Sequence, residues 1–191
     1  KDILAVEMPG FGTSEETSTN SHRLLDSLGV SRRKIDIIPA TLQHFEDIGH
    51  DPEILDHTYE NAQARERTQI LMDIANKENG IVVGTGDLSE LALGRCTYNG
   101  DQMSMYSVNH SIPKTLIRPL LQHESMLYAQ GKRTDLAKVL EAISKTAVSP
   151  ELLPPTKDGE IQQKTEDIIG PYVLHDFFLY HYLERGKNFI D

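Results

Sequence analysis

The sequence has little of what marks several large functional classes. Of its 191 residues, one is cysteine and none is tryptophan. Cys96 therefore has no internal disulfide partner, which fits a reducing, cytoplasmic setting and excludes a disulfide-stapled scaffold. No apolar run approaches the roughly 18 residues that a membrane span requires, so no membrane partner is expected. Positive charge is scarce: 19 Lys plus Arg against 29 Asp plus Glu leave a net charge of −10. That balance argues against a general nucleic-acid binder, whose affinity comes mostly from Lys and Arg on the phosphate backbone. It leaves room for a local basic pocket that takes a small phosphorylated ligand. Internal repeats, low-complexity tracts, a signal peptide and an initiating methionine are also lacking. Lys1 leads almost at once into an apolar strand, so the chain reads as a piece of something longer. The histidines show no metal spacing, no Cys-x-x-Cys accompanies them, and no Gly-x-Ser-x-Gly elbow occurs. Cys96 has no evident base beside it, which argues against a nucleophilic role.

What is present is ordinary for a globular domain, with 38% hydrophobic and 25% charged residues, and the length suits one domain with a real core. Residues 3–8 form a short apolar run ended by Pro9-Gly10 and read as a buried strand. Thr13 or Ser14 can cap a following helix that carries Glu15 and Glu16 in its first turn and Leu24, Leu25 and Leu28 on one face, with Gly29 as its stop. A second strand is expected at residues 35–38 before Pro39, then a mixed segment over 41–57 holding a short helix and a loop. Residues 58–77 predict a long helix ended by Asn79-Gly80, and residues 81–83 a third strand. The order strand, helix, strand, helix, strand is that of a parallel sheet with crossover helices. Further helices are expected at 88–93, 113–122, 136–144 and 174–183, with a loop through 148–170. The expected architecture is one α/β domain over 1–191, with its sheet in 1–101 and a mostly helical part in 102–191.

In open parallel sheets, ligands bind beyond the carboxyl ends of the strands. Residues 9–14, 39–42 and Gly84-Thr85-Gly86-Asp87 fall there. The last is the sharpest signal. Two glycines let a phosphate or ribose approach the backbone, the helix behind offers free N–H groups, and Glu90 in its first turns is a candidate Mg²⁺ ligand. The same spacing also suits a plain strand-to-helix turn with a solvated Glu90. Asn61, Arg65 and Thr68 share one face of the long helix, with Arg67 on the adjacent face. These groups suit phosphate or amide recognition, and equally a solvated face balanced by Glu60, Glu66 and Asp73.

The run Gly80-Ile81-Val82-Val83-Gly84-Thr85-Gly86-Asp87-Leu88-Ser89-Glu90-Leu91-Ala92-Leu93-Gly94 closely resembles the synthetase (ligase) domain of glutamine-dependent NAD⁺ synthetases. So do Cys96 to Tyr106, Ile112 to Leu116, Met8 to Thr13, Tyr59 to Thr68, Val148 to Leu152 and Lys164 to Asp167, which together span nearly the whole chain. The resemblance implies an adenine-nucleotide α-hydrolase-like fold of the ATP pyrophosphatase type. It implies a two-step reaction in which ATP adenylates the nicotinate carboxylate of deamido-NAD⁺ and ammonia then displaces AMP. Ammonia would come from glutamine through a separate amidase domain, and a homo-oligomer is expected. Carried over by motif, Thr85, Lys114 and Ser149 are implied ATP contacts and Glu90 the Mg²⁺ ligand near both substrates. Asn61, Glu90, Arg95, Cys96, Thr97, Tyr98 and Asp101 are implied deamido-NAD⁺ contacts.

Some positions depart from the family pattern. Arg95 stands where the family usually has Trp, so a cation replaces an aromatic platform, and Ser107 and His110 replace the usual Asn and Ala. The family's Ser-Gly-Gly-x-Asp-Ser pyrophosphate loop is not in the chain. In the family it follows a first strand at the middle of the sheet, upstream of Lys1, so the expectation is a fragment inactive on its own. The competing expectation is a non-catalytic, oligomerising interaction module in which the open edges at residues 3–8 and 81–83 pair with another chain. Another ATP pyrophosphatase, such as a tRNA-modifying or GMP-forming enzyme, is disfavoured by the match over residues 80–101.

Overall fold

The computed structural model describes residues 2–146, 149, 151–154 and 165–187. Strand β1 (Leu4–Glu7) leads to helix α1 (Glu15–Leu28), strand β2 (Ser31–Lys34) and helices α2 (Ile38–Ile48) and α3 (His57–Glu78). Strand β3 (Val83–Gly84), helix α4 (Leu88–Ala92) and strand β4 (Tyr106–Ser107) follow. Helices α5 (Lys114–Gln130), α6 (Thr134–Lys145), α7 (Thr165–Ile169) and α8 (Tyr172–Leu179) complete the order, and α8 runs into a π-helical turn, Tyr180–Glu184. The strands are parallel, as the alternation of elements predicts, and form two two-stranded sheets, β1–β2 and β3–β4. No helix among the described residues is long and apolar enough to cross a membrane.

Local signals account for most helix ends. The Ser14 side chain accepts from the Thr17 amide, Glu15 and Glu16 occupy the first turn of α1, and Gly29 closes it in the left-handed region at φ 66°. Asp56 caps α3 through the Thr58 and Tyr59 amides, and Asn79 ends it at φ 54°.

Other expectations are corrected. The second strand lies at Ser31–Lys34 rather than at 35–38, with Leu4 opposite Ser31 and Glu7 opposite Lys34. It is an edge strand whose residues alternate between half-buried and exposed, so it tolerates charge where an apolar pattern would not look. The apolar run 35–38 instead hands the chain over to α2. The Ile35 and Ile37 amides donate to the Glu7 and Pro9 carbonyls, and Pro39 sits in the first turn of α2, where its missing N–H costs nothing. The third strand is shorter and later than 81–83, and β4 lies beyond residue 101, in the part expected to be mostly helical. Helix α5 runs well past Gln122 because α6 packs along it, with Ser125 Oγ donating to the Ala137 carbonyl at 2.8 Å. The expected loop 148–170 holds helix α7 at its end. Residues 148, 150 and 155–164 of that region lie outside the described residues.

The core around β1 is aromatic. Phe45 and Tyr59 are buried with Ala62, and Phe11 and Leu153 pack on them, with ring centroids 5.1 Å apart for Phe11–Tyr59 and 5.5 Å for Phe45–Tyr59. Gln63 is wholly buried and ties three segments together. Its Oε1 accepts from the Phe11 amide, while its Nε2 donates to the Tyr59 and Leu152 carbonyls. Between the facing edges of β1 and β3 runs a cavity of about 1440 Å³. Consecutive residues of both edges line it, Ile3 to Val6 on one side and Ile81 to Gly84 on the other, and α3 contributes Ala64, Thr68 and Leu71.

Candidate functional site

The site begins where β3 ends. Gly84 lies so close to β4 that a Cβ there would come within 2.3 Å of Ser104 Oγ, and the chain then turns through Thr85 and Gly86 into α4. Asp87 caps α4 as half of a capping box: its Oδ1 accepts from the Glu90 amide at 3.0 Å, and Glu90 Oε2 accepts from the Asp87 amide at 3.2 Å. Both carboxylates therefore point to one place, and Lys114 from the first turn of α5 fills it. Its Nζ lies 2.5 Å from Glu90 Oε1 and 2.5 Å from Asp87 Oδ2, the latter contact an ion pair rather than an aligned hydrogen bond. Burial by itself lowers the Lys114 ammonium, but Asp87 and Glu90 outweigh it and hold the group above the usual lysine range. The buried Tyr172 ring lies 5.7 Å from Nζ, and burial raises its own phenol.

Helix α8 fixes the base of Lys114. The buried Asp176 carboxylate accepts from Ser89 Oγ and, at 2.8 Å, from the Thr115 amide, while Ser89 Oγ accepts from the Lys114 amide at 2.8 Å. These contacts serve the open amides at the start of α5, which otherwise has no side-chain cap.

Of the residues expected at the site, Asn61, Thr85, Glu90, Arg95, Cys96, Thr97, Asp101 and Ser149 all line the cavity between β1 and β3. Lys114 reaches it through Glu90. The Tyr98 side chain does not: it is 79% exposed, and among the described residues its carbonyl is what is engaged, accepting from Arg65 Nε at 3.1 Å. Asn61 Oδ1 accepts from Thr97 Oγ1 at 2.7 Å, and Asp101 Oδ1 accepts from the Thr97 amide at 2.6 Å, so this loop is pinned to α3. Burial, followed by the nearby Asp101 and Glu90 charges, raises the Cys96 thiol, and its Sγ faces Gln102 Oε1 at 3.4 Å, an environment that disfavours a thiolate. Ser149 Oγ accepts from the Glu151 amide.

Sequence reasoning named Asp87 in the turn after the third strand and Ser89 in the motif without giving either a role, and it missed Tyr172 and Asp176. The Asp-x-x-Glu spacing of Asp87 and Glu90 is a capping-box pattern and was available as a signal. Asp176 and Tyr172 had none, because they meet the site only across the fold.

Comparison with known proteins bears on this geometry. A model of the NAD synthase family matches residues 1–188. The glutamine-dependent NAD⁺ synthetase of Mycobacterium tuberculosis is 44% identical over 190 residues, which cover 97% of this chain and 27% of that protein. The glutamine-dependent NAD⁺ synthetase of Acinetobacter baylyi is 30% identical over 193 residues, covering 97% and 32%. Among solved structures, NMN synthetase from Francisella tularensis aligns with a TM-score of 0.71 at 23% identity, over 97% of this chain and 67% of that one. Glutamine-dependent NAD⁺ synthetase from Acinetobacter baumannii, in complex with ADP, aligns with a TM-score of 0.66 at 24% identity, over 97% and 30%. At those identities the structures bear on the fold. The chain thus spans under a third of the length of the two curated relatives, and it belongs to the NAD synthase family.

Proposed function

We propose that this chain is the larger part of a ligase domain that amidates deamido-NAD⁺ to NAD⁺ at the expense of ATP, with ammonia drawn from glutamine by a separate amidase domain. The observation that carries the reading is the convergence of residues far apart in sequence, from Asn61 to Ser149, on one cavity that runs along the facing edges of two parallel ladders and takes in their carboxyl ends at Met8 and Thr85. Lys114 and Thr85 are the ATP contacts, with Ser149 beside them. Lys114 neutralises phosphate charge as the nicotinate carboxylate attacks the α-phosphorus and pyrophosphate departs. Asn61, Arg95, Thr97 and Asp101 orient the dinucleotide, and Cys96 and the Tyr98 backbone complete that wall. Arg95 offers a flat cation on which a base can stack.

Glu90 suits Mg²⁺, a hard cation commonly held by one or two carboxylates together with substrate phosphates and water. No group of three or more metal-ligating side chains occurs among the described residues, so the substrate phosphates would complete the set. Bound there, Mg²⁺ would supply neutralisation of polyphosphate charge. Because Lys114 holds Glu90 Oε1, the lysine must move from Glu90 toward phosphate for the carboxylate to serve the metal.

The cavity between the β1 and β3 edges suits a further strand bearing a phosphate-binding loop, and on this reading the 191-residue chain alone is inactive. The test is NAD⁺ formation from ATP, Mg²⁺, deamido-NAD⁺ and ammonia. Turnover only when a longer chain is supplied supports the proposal, and turnover by this chain alone overturns the fragment reading. The second reading, an oligomerising module without catalysis, is favoured by the apolar face of α8, where Phe177 and Phe178 are 57% and 56% exposed. Homo-oligomerisation is proposed under either reading. Sedimentation giving a well-folded monomer would count against it.

A further inference from the structure

Arg67 of α3 lines the cavity at the carboxyl end of β1. Its Nε donates to the Met8 carbonyl at 3.0 Å. Gly10 makes room for the guanidinium: a Cβ there would stand 2.7 Å from Arg67 Nη2 and 2.7 Å from Gln63 Oε1. Arg67 is half-buried and lines the cavity. A guanidinium carries five N–H donors, and among the described residues the Met8 carbonyl is its one hydrogen-bond acceptor. No described carboxylate pairs with it. Asp101 and Glu151 raise its pKa from a distance, but burial dominates and lowers it. Those two acids are engaged elsewhere, Asp101 by the Thr97 amide and Glu151 by the Thr17 hydroxyl.

A half-buried, fork-shaped cation on the wall of a cavity, with no described carboxylate paired to it, is suited to a planar or tetrahedral oxyanion, which a guanidinium can hold through two parallel hydrogen bonds. Its position agrees. Met8 ends β1 and Thr85 follows β3, and both line the same cavity at the strand ends where a parallel sheet receives its ligand. We propose that Arg67 is an oxyanion subsite of this cavity and that it takes a phosphate group of the polyphosphate substrate. This deepens the ligase reading by adding a second cation to Lys114 among the groups that receive phosphate. It rests on that reading for the identity of the substrate and on Arg67's own geometry for the subsite.

Pyrophosphate is the probe, added to the ¹⁵N-labelled 191-residue chain while the Arg67 Nε–Hε resonance is followed. The proposal expects that resonance to shift in a saturable way. Arg67→Lys, which keeps the charge and one donor, should weaken pyrophosphate binding by roughly tenfold, about the worth of one charge-assisted hydrogen bond. Arg32→Lys, at the far edge strand, should leave binding within about twofold, since its surface pair contributes little. Acetate at matched ionic strength should leave the Arg67 signal in place. An unshifted signal in the unmutated chain overturns the proposal whatever the variants do. Equal losses in both variants overturn it too, because the attraction would then be non-specific. A shift with acetate and none with pyrophosphate overturns the phosphate assignment and makes the partner a protein carboxylate. Amidation by a longer chain can fail while pyrophosphate still shifts Arg67, and the reverse, so the two readings fail separately.

Discussion

Around β1 and β2 the chain is held by rings, with Phe11, Phe45 and Tyr59 stacked against the loop that leaves β1 and against α2 and α3. Around β3 and β4 it is held by charge, with Asp87, Glu90 and Lys114 clasped together and Asp176 and Ser89 pinning the start of α5. The β1–β2 ladder is also the longer, four residues against two. Apolar packing is non-directional and needs no charged partner, so it suits a scaffold. A cluster of opposite charges is directional and exchangeable, so it suits a place where phosphates and a metal must later compete for the same groups. The aromatic half gives the site its frame, and the charged half is the part that chemistry can rearrange.

The largest effect expected from breaking this contrast comes from the rings. Phe45→Ala removes a side chain that is 1% exposed and should cost about 3–5 kcal/mol in urea unfolding. Next, Lys114→Met leaves the Asp87 carboxylate, itself 1% exposed, without its counter-charge. Because the lysine side chain is 15% exposed, the expected loss is about 2–3 kcal/mol, less than for a fully buried pair. Adding Asp87→Asn, which keeps the helix cap, should return part of it. If the double variant is no more stable than Lys114→Met, the loss lies in packing rather than in the orphaned charge. Asp176→Ala should cost about 1–3 kcal/mol and open the Thr115 amide to hydrogen exchange while the Thr41 amide in α2 stays protected.

Alkaline pH sharpens the comparison further. The Tyr59 phenol is pushed up to about 12 by burial and then by Glu53, against 10.0 for a free tyrosine. A raised folded-state value means that its contribution is complete below pH 10 and is lost as pH rises through about 12. The Lys114 ammonium, also raised, acts with the same sign, with its contribution lost above the usual lysine range. Tyr59→Phe should therefore flatten part of the alkaline fall in the urea midpoint, and Lys114→Met a separate part. An unchanged profile in both variants would break the assignment. The smallest effect is expected from Arg32→Ala at the exposed Arg32–Asp26 pair, within about 0.5 kcal/mol by the same measurement.

Local chemistry was enough to place both ends of α1 and the carboxyl end of α3, since Ser14, Gly29 and Asn79 act on amides and carbonyls only a few residues away, whereas the Asp56 cap of α3 came from the structure. The parallel α/β alternation followed from the order of periodic segments. Eight of the residues implied by the family resemblance line the cavity, among them Asn61 of α3 and Ser149, while the Tyr98 side chain and Lys114 do not line it directly. Only the tertiary structure placed β2 at Ser31–Lys34, because an edge strand needs a neighbour's carbonyls and not an apolar pattern of its own. Only it could join Asp176 to Ser89 and Thr115, or aim Asp87 at Lys114. Such pairs are set by which helices pack together, and a carboxylate in a sequence looks the same whether it meets water or a buried ammonium.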